Sequence, residues 1–162
     1  MTIQAEHIHA FIDSAKEVFE CMTGAPLGVT APRIRTESDT AEITCVIRLE
    51  GDLQGAASVG VDADSAGAIF QMMTGEAAPD DPGDVLDAMG ELTNLIVGGA
   101  KTRFNLENVR MTCPDITQNQ QHLSEIESET AIITIPCETQ DARFQIDVAI
   151  EQAPMCQPAE RN

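Results

Sequence analysis

The chain reads as an α+β domain in which a mainly antiparallel sheet is covered by long helices. Three observations predict this. Residues 3–23 and 81–104 repeat apolar side chains at helical spacing, each with one stripe to bury. Residues 42–61 and 131–151 instead alternate apolar and polar positions about short turns, the pattern of hairpins in a half-buried sheet. A length of 162 residues fits one domain able to enclose a core.

In order, residues 3–23 form an amphipathic helix whose buried side is Ile8, Phe11, Ile12, Ala15, Val18, Phe19 and Met22, stopped by Gly24 and Pro26. His7 and His9 near its start are expected to be solvated or capping residues rather than ligands. Turn and loop residues follow through Pro32. In the first hairpin, Ile43, Cys45, Ile47 and Leu49 share a face, Gly51-Asp52 turns, and residues 55–61 return. Residues 62–75 form a short helix capped by Asp62 or Asp64 and ended by Gly75, with Met72 and Met73 as a hydrophobic seam. A loop over residues 76–83 leads into the long second helix. After it come a strand over 109–112, a polar connector over 114–129, and a final hairpin carrying Ile132, Thr134, Phe144, Ile146, Val148 and Ile150. One domain is expected over residues 1–153, with a flexible tail over 154–162.

Composition narrows the function. With 27 acidic against 9 basic residues, the net charge of −18 repels phosphate backbones and anionic membranes, which excludes nucleic acid and membrane surfaces as partners. No Trp or Tyr is available for base stacking. The five cysteines are scattered and odd in number, with no zinc-like spacing, and no secretory signal or membrane-length apolar run is evident. Free thiols and a cytoplasmic location are expected.

The chemistry concentrates in residues 81–104. Asp81 is expected to cap the helix, Pro82 suits its first position, and Asp84 favours the positive end of the dipole. Val85, Leu86, Met89, Leu92, Ile96, Val97, Ala100 and Phe104 form the apolar stripe. Asp87, Glu91, Asn94, Gly98 and Lys101 lie opposite, with Glu91 and Asn94 on neighbouring positions of one face. Two consecutive glycines inside a helix each cost about 1 kcal/mol, so Gly98 and Gly99 imply close approach by another backbone or molecule. Taken alone, these residues fit equally a helix that packs tightly on its own sheet. Asn94 has no useful pKa for acid–base work, but its carboxamide both donates and accepts hydrogen bonds. That suits it to hold a water in line with a phosphoryl group. Glu91 on the same face can grip a cation.

An internal repeat runs beneath this pattern. Phe11, Asp13, Glu17, Glu20 and Gly24 can be laid over Val85, Asp87, Glu91, Asn94 and Gly98, and a hairpin follows each helix. Glu20 stands where the second copy has Asn94. An anionic carboxylate cannot make the same contacts to a phosphoryl group, so one site is expected, on the second copy.

The run from Asp87 through Glu91, Asn94, Gly98 and Lys101 to Thr102 resembles the signature helix of the CheX group, single-site relatives within the CheC/CheX/FliY phosphatases of bacterial chemotaxis. The preceding segment, from Ile47 through Gly55, Val59 and Val61 to Gly75, is similar to that family's hairpin and short helix, and the likeness covers residues 41–104. The resemblance implies a CheC/CheX-like α+β fold with a pseudo-twofold repeat, and hydrolysis of the aspartyl phosphate of a CheY-like response regulator. It implies that Asn94 orients the attacking water, that Glu91 pairs with the partner's lysine, and that Asp87, Gly98 and Lys101 contact the partner. Mg2+ is then supplied by the regulator, with no metal or cofactor on this chain, and a homodimer is expected, paired through the C-terminal hairpin's edge. The rival reading is a non-catalytic adaptor for a response regulator or flagellar-switch component, since fold alone does not settle function. A small-molecule enzyme finds no pocket-building motif in its favour.

Overall fold

The computed structural model describes residues 3–118 and 131–154. Helix α1 spans Ala5–Thr23, and Gly24 ends it in the left-handed conformation (φ 71°), its amide bonded to the Glu20 carbonyl. Two short strands follow, β1 (Gly28–Val29) and β2 (Arg33–Ile34), and then the hairpin β3 (Ile43–Gly51) and β4 (Leu53–Val61). Helix α2 (Ala63–Thr74) begins at Asp62, whose carboxylate accepts from the Ser65 amide at 2.7 Å, and ends at Gly75 (φ 77°). Helix α3 (Gly83–Arg103) leads to β5 (Val109–Met111) and β6 (Asp115–Gln118), and the hairpin β7 (Ile133–Glu138) and β8 (Arg143–Gln152) completes the described residues.

All the described strands pair antiparallel in one sheet of order β1-β7-β8-β4-β3-β5, with β2 also lining β7 and β6 also lining β3. This order is the repeat made visible. Each half is a long helix, two short strands and a hairpin. The hairpins meet at β4 and β8, and the short strands of each half pair with the hairpin of the other. Among the described residues, only α2 lacks a counterpart.

The three described helices pack on one face of the sheet. Phe19 of α1 stacks on Phe144 of β8 at 6.0 Å, and Phe11 meets Phe104 at 5.8 Å. Met89, Leu92 and Ile96 of α3 are wholly buried, each stabilising the fold by about 1.5–3 kcal/mol through burial. Met72 and Met73 are half-buried against the same core. On the opposite face, residues 35–42 cross from β2 to β3 over the sheet. Arg35 reaches Asp147 on β8 at 3.2 Å, and Asp39 accepts from both terminal nitrogens of Arg33 at 2.6 and 2.7 Å. Ala41 lies over Gly60.

Several expectations change. The loop expected through Pro32 contains β1, because β7 offers unpaired backbone groups that Gly28–Val29 satisfies. Asp115–Gln118 in the expected polar connector pairs with Ile43, Thr44, Cys45 and Val46 of β3 for the same reason. The C-terminal hairpin has no free edge, since β8 is internal and β7 is lined by β1 and β2. His7 is not solvated: it is buried edge-on against Phe104 with ring centroids 5.3 Å apart, although His9 is exposed. Residues 119–130 of the connector, the tail from residue 155 and Cys156 lie outside the described residues.

Candidate functional site

Helix α3 forms the site. Asp81 accepts from the Gly83 amide at 2.9 Å, as a cap should, but Pro82 takes the N-cap position (φ −71°, ψ −10°) and the helix starts one residue later than expected. Asp84 in the first turn and Lys101 and Arg103 in the last complement the helix dipole. The apolar stripe is buried at Val85, Met89, Leu92, Ile96, Val97, Ala100 and Phe104, with Leu86 half-buried. Thr93 also turns inward, its hydroxyl donating to the Met89 carbonyl at 2.7 Å. Burying that stripe forces the other side of the helix outward.

Asp87 and Glu91 are exposed, and Asn94, Gly98 and Lys101 are half-buried. Among the described residues, no hydrogen bond or ion pair engages the Glu91 or Asn94 side chain. Asn94 lies on the flank of α3 that borders β5 and β6. One turn before it, a β-carbon on Gly90 would come within 2.9 Å of Ile116 Cδ1, and one turn after it Gly98 faces Met111. Thus Asn94 projects beside the β5–β6 segment while Glu91 points straight to solvent.

The paired glycines do different work. Gly99 faces α1, where Ser14 donates to the Ile96 carbonyl at 2.6 Å and would collide with any β-carbon. Internal packing therefore accounts for Gly99. A β-carbon on Gly98 would make only ordinary contact with Met111, at 3.9 Å, so nothing inside the fold demands glycine there.

Leu95 was absent from the expected face. At about 100° per residue it falls on the outer side, between Glu91 and Gly99, and it is 37% exposed. Its hydrophobicity assigned it to no face; only the angular position relative to Glu91 could have found it.

The site is a ridge rather than a pocket. A cavity of about 340 Å³ lies away from it, lined by Arg33, Thr40, Gly60, Thr134 and Gln145 among others. Of its charged walls, Arg33 is engaged by Asp39, Asp62 caps α2, and Arg143 lies 3.9 Å from Glu138. Among the described residues, no group of three or more His, Cys, Asp or Glu side chains can hold a metal ion, and no helix is long and apolar enough to cross a membrane. Cys45 and Cys137 are buried, which pushes their thiols up to about 11 and about 12, while Cys21 and Cys113 are exposed. Glu20, the counterpart of Asn94, is exposed on α1.

The model of the chemotaxis phosphatase CheX matches residues 43–138, more than half the sequence. The chain belongs to the CheX family. Its fold is shared with solved members: a CheX from Vibrio vulnificus is 27% identical, with a TM-score of 0.77 over 91% of this chain and 100% of that one. A CheC-like superfamily protein from a Shewanella species is 23% identical, with a TM-score of 0.81 over 92% and 99%. The third is CheX from Borrelia burgdorferi, solved in complex with CheY, BeF3 and Mg2+; it is 17% identical, with a TM-score of 0.74 over 92% of this chain and 100% of that one. No curated protein matches the chain in sequence.

Proposed function

We infer that this CheX-family chain is a phosphatase for the aspartyl phosphate of a CheY-like response regulator. One observation carries the reading: Glu91 and Asn94 stand together on the outer face of α3, with no hydrogen-bond or ion-pair partner among the described residues. A carboxamide and a carboxylate left unengaged on a ridge suit a partner that brings the rest of the chemistry. The Borrelia relative, solved with CheY, BeF3 and Mg2+, supports that division of labour.

In this reading the regulator supplies the aspartyl phosphate, Mg2+ and a lysine. Glu91 pairs with that lysine and holds the two proteins in register. Asn94 hydrogen-bonds a water and aligns it with the phosphorus. The water oxygen bonds to phosphorus as the bond to the aspartate oxygen breaks, releasing the carboxylate and inorganic phosphate. Asn94 takes no proton; its contribution is orientation. Gly98 leaves room for the regulator's backbone, and Asp87 and Lys101 border the contact. A homodimer belongs to the same reading, and light scattering of the full chain tests it.

The deciding experiment follows phosphate loss from candidate regulators with wild type, Asn94→Ala and Glu91→Ala. Wild type is expected to accelerate the loss, Asn94→Ala to abolish the acceleration while still binding, and Glu91→Ala to weaken both. Binding by wild type without any change in phosphate lifetime would leave the adaptor reading in its place.

A further inference from the structure

Two large apolar side chains among the described residues are exposed: Ile34 on the edge strand β2, and Leu95 on α3. A single exposed leucine is ordinary on a protein surface. Leu95 differs by its setting. It lies one position after Asn94, one turn beyond Glu91 and one turn before Gly98, on a face that also carries Asp84, Asp87, Glu91, Asn94, Lys101 and Thr102. Next to it the helix surface drops to bare backbone at Gly98, beyond which is the half-buried thioether of Met111, 3.9 Å from where a β-carbon would stand.

Leu95 on one side of Glu91, and Met111 beyond Gly98 on the other, thus set apolar atoms on both flanks of two polar groups that have no internal partner among the described residues. The wholly buried stripe of α3 does not include Leu95, which keeps 37% of its surface exposed. Solubility does not call for it, because a polar side chain would serve better.

We propose that Leu95, with Met111 across the Gly98 gap, is the apolar contact that seats the phosphorylated receiver domain on α3 and so sets the affinity for the regulator. This rests on the phosphatase reading above. The occupant is the regulator because Leu95 adjoins Glu91 and Asn94 on the exposed side of α3, so a partner that engages both groups lies against it. Leu95 is a docking residue, not a catalytic one: it has no atom able to orient water, so it acts on KM and leaves kcat alone.

The test is steady-state dephosphorylation by the full-length chain, with Leu95→Ala, Leu95→Met and Ile34→Ala compared with wild type. Binding of the same variants to a regulator loaded with beryllofluoride and Mg2+ is measured in parallel. Leu95→Ala is expected to raise KM and the dissociation constant roughly tenfold with kcat within twofold, as loss of most of a buried leucine contact predicts. Leu95→Met is expected to stay within about threefold of wild type, since it conserves apolar volume, and Ile34→Ala to change nothing. Thermal unfolding of each variant separates a folding defect from a docking one. If Leu95→Ala binds and turns over as wild type does, the docking role is overturned while the phosphatase reading stands. A fall in kcat at unchanged KM would also overturn it. Wild type that neither binds nor dephosphorylates any regulator defeats both readings together.

Discussion

Ser14 on α1 closes over Gly99 on α3, where an added β-carbon would lie 3.2 Å from the Ser14 Cβ and well inside contact with its hydroxyl. That hydroxyl also donates to the Ile96 carbonyl at 2.6 Å, so a buried side chain and a missing one together fix the spacing of the two helices. Gly99→Ala is therefore expected to destabilise the fold by about 1–3 kcal/mol through overpacking. Adding Ser14→Ala should recover part of the loss in urea unfolding. Gly98→Ala should behave oppositely, keeping or raising stability by up to about 1 kcal/mol from helix propensity while weakening regulator binding. Equal losses at both glycines would refute this division between packing and docking.

Glu91 and Asn94 are expected to be nearly silent in folding. Alanine at either position should change unfolding free energy by no more than about 0.5 kcal/mol, since neither side chain has an internal partner among the described residues. Chemical denaturation of the variants used for phosphatase assays checks this directly. A drop of several kcal/mol would mean that any lost activity reports unfolding.

Arg35 secures the crossing segment to the sheet through Asp147, which is 2% exposed and also accepts from Thr134 at 2.5 Å and Gln145 at 2.9 Å. Burial pushes the Asp147 carboxyl above its ordinary range, opposed by Thr134, Arg35 and Gln145. Arg35→Ala leaves a buried carboxylate short of its cation, and about 2–3 kcal/mol of stability should be lost, less than for a fully buried pair because Arg35 is partly exposed. A paired replacement of Arg35 and Asp147 by leucine should lose less than Arg35→Ala alone.

His7 gives a pH dependence of known sign. Its burial lowers the imidazole pKa below the ordinary 6.5, against a smaller opposing pull from Glu6. The unfolded chain then takes up a proton at a higher pH than the folded one. Stability is complete above about pH 6.5 and falls as pH drops from there toward the lower folded-state value. His7→Gln should flatten that part of the curve in unfolding titrations between pH 5 and 8. An unchanged slope would assign the dependence to other groups.

The residues themselves specified much of this molecule. The 3.6-residue period of Val85, Met89, Leu92 and Ile96 fixed which side of α3 is buried, and with it that Glu91 and Asn94 face outward. Gly24 and Gly75 marked helix ends because a left-handed cap is cheap only without a β-carbon. Alternation marked the core side of β3 and β8, but not of β7: Thr134 pairs with Asp147 on the face away from the helices, and Ile135 and Cys137 meet the core instead. Such features depend on local geometry, so a linear reading captures them.

Other features depend on neighbours distant in the chain. Gly28–Val29 and Asp115–Gln118 carry weak local signals and become strands because β7 and β3 offer them unpaired backbone groups. His7 is buried because Phe104, 97 positions away in sequence, closes over it. The meaning of two adjacent glycines was also undecided until α1 was seen against Gly99 and little but Met111 beside Gly98. The sequence by itself determined the periodic elements and the outer face of α3. Only the tertiary structure decided the sheet's edges and which glycine serves packing, because those depend on contacts between segments with no local signature.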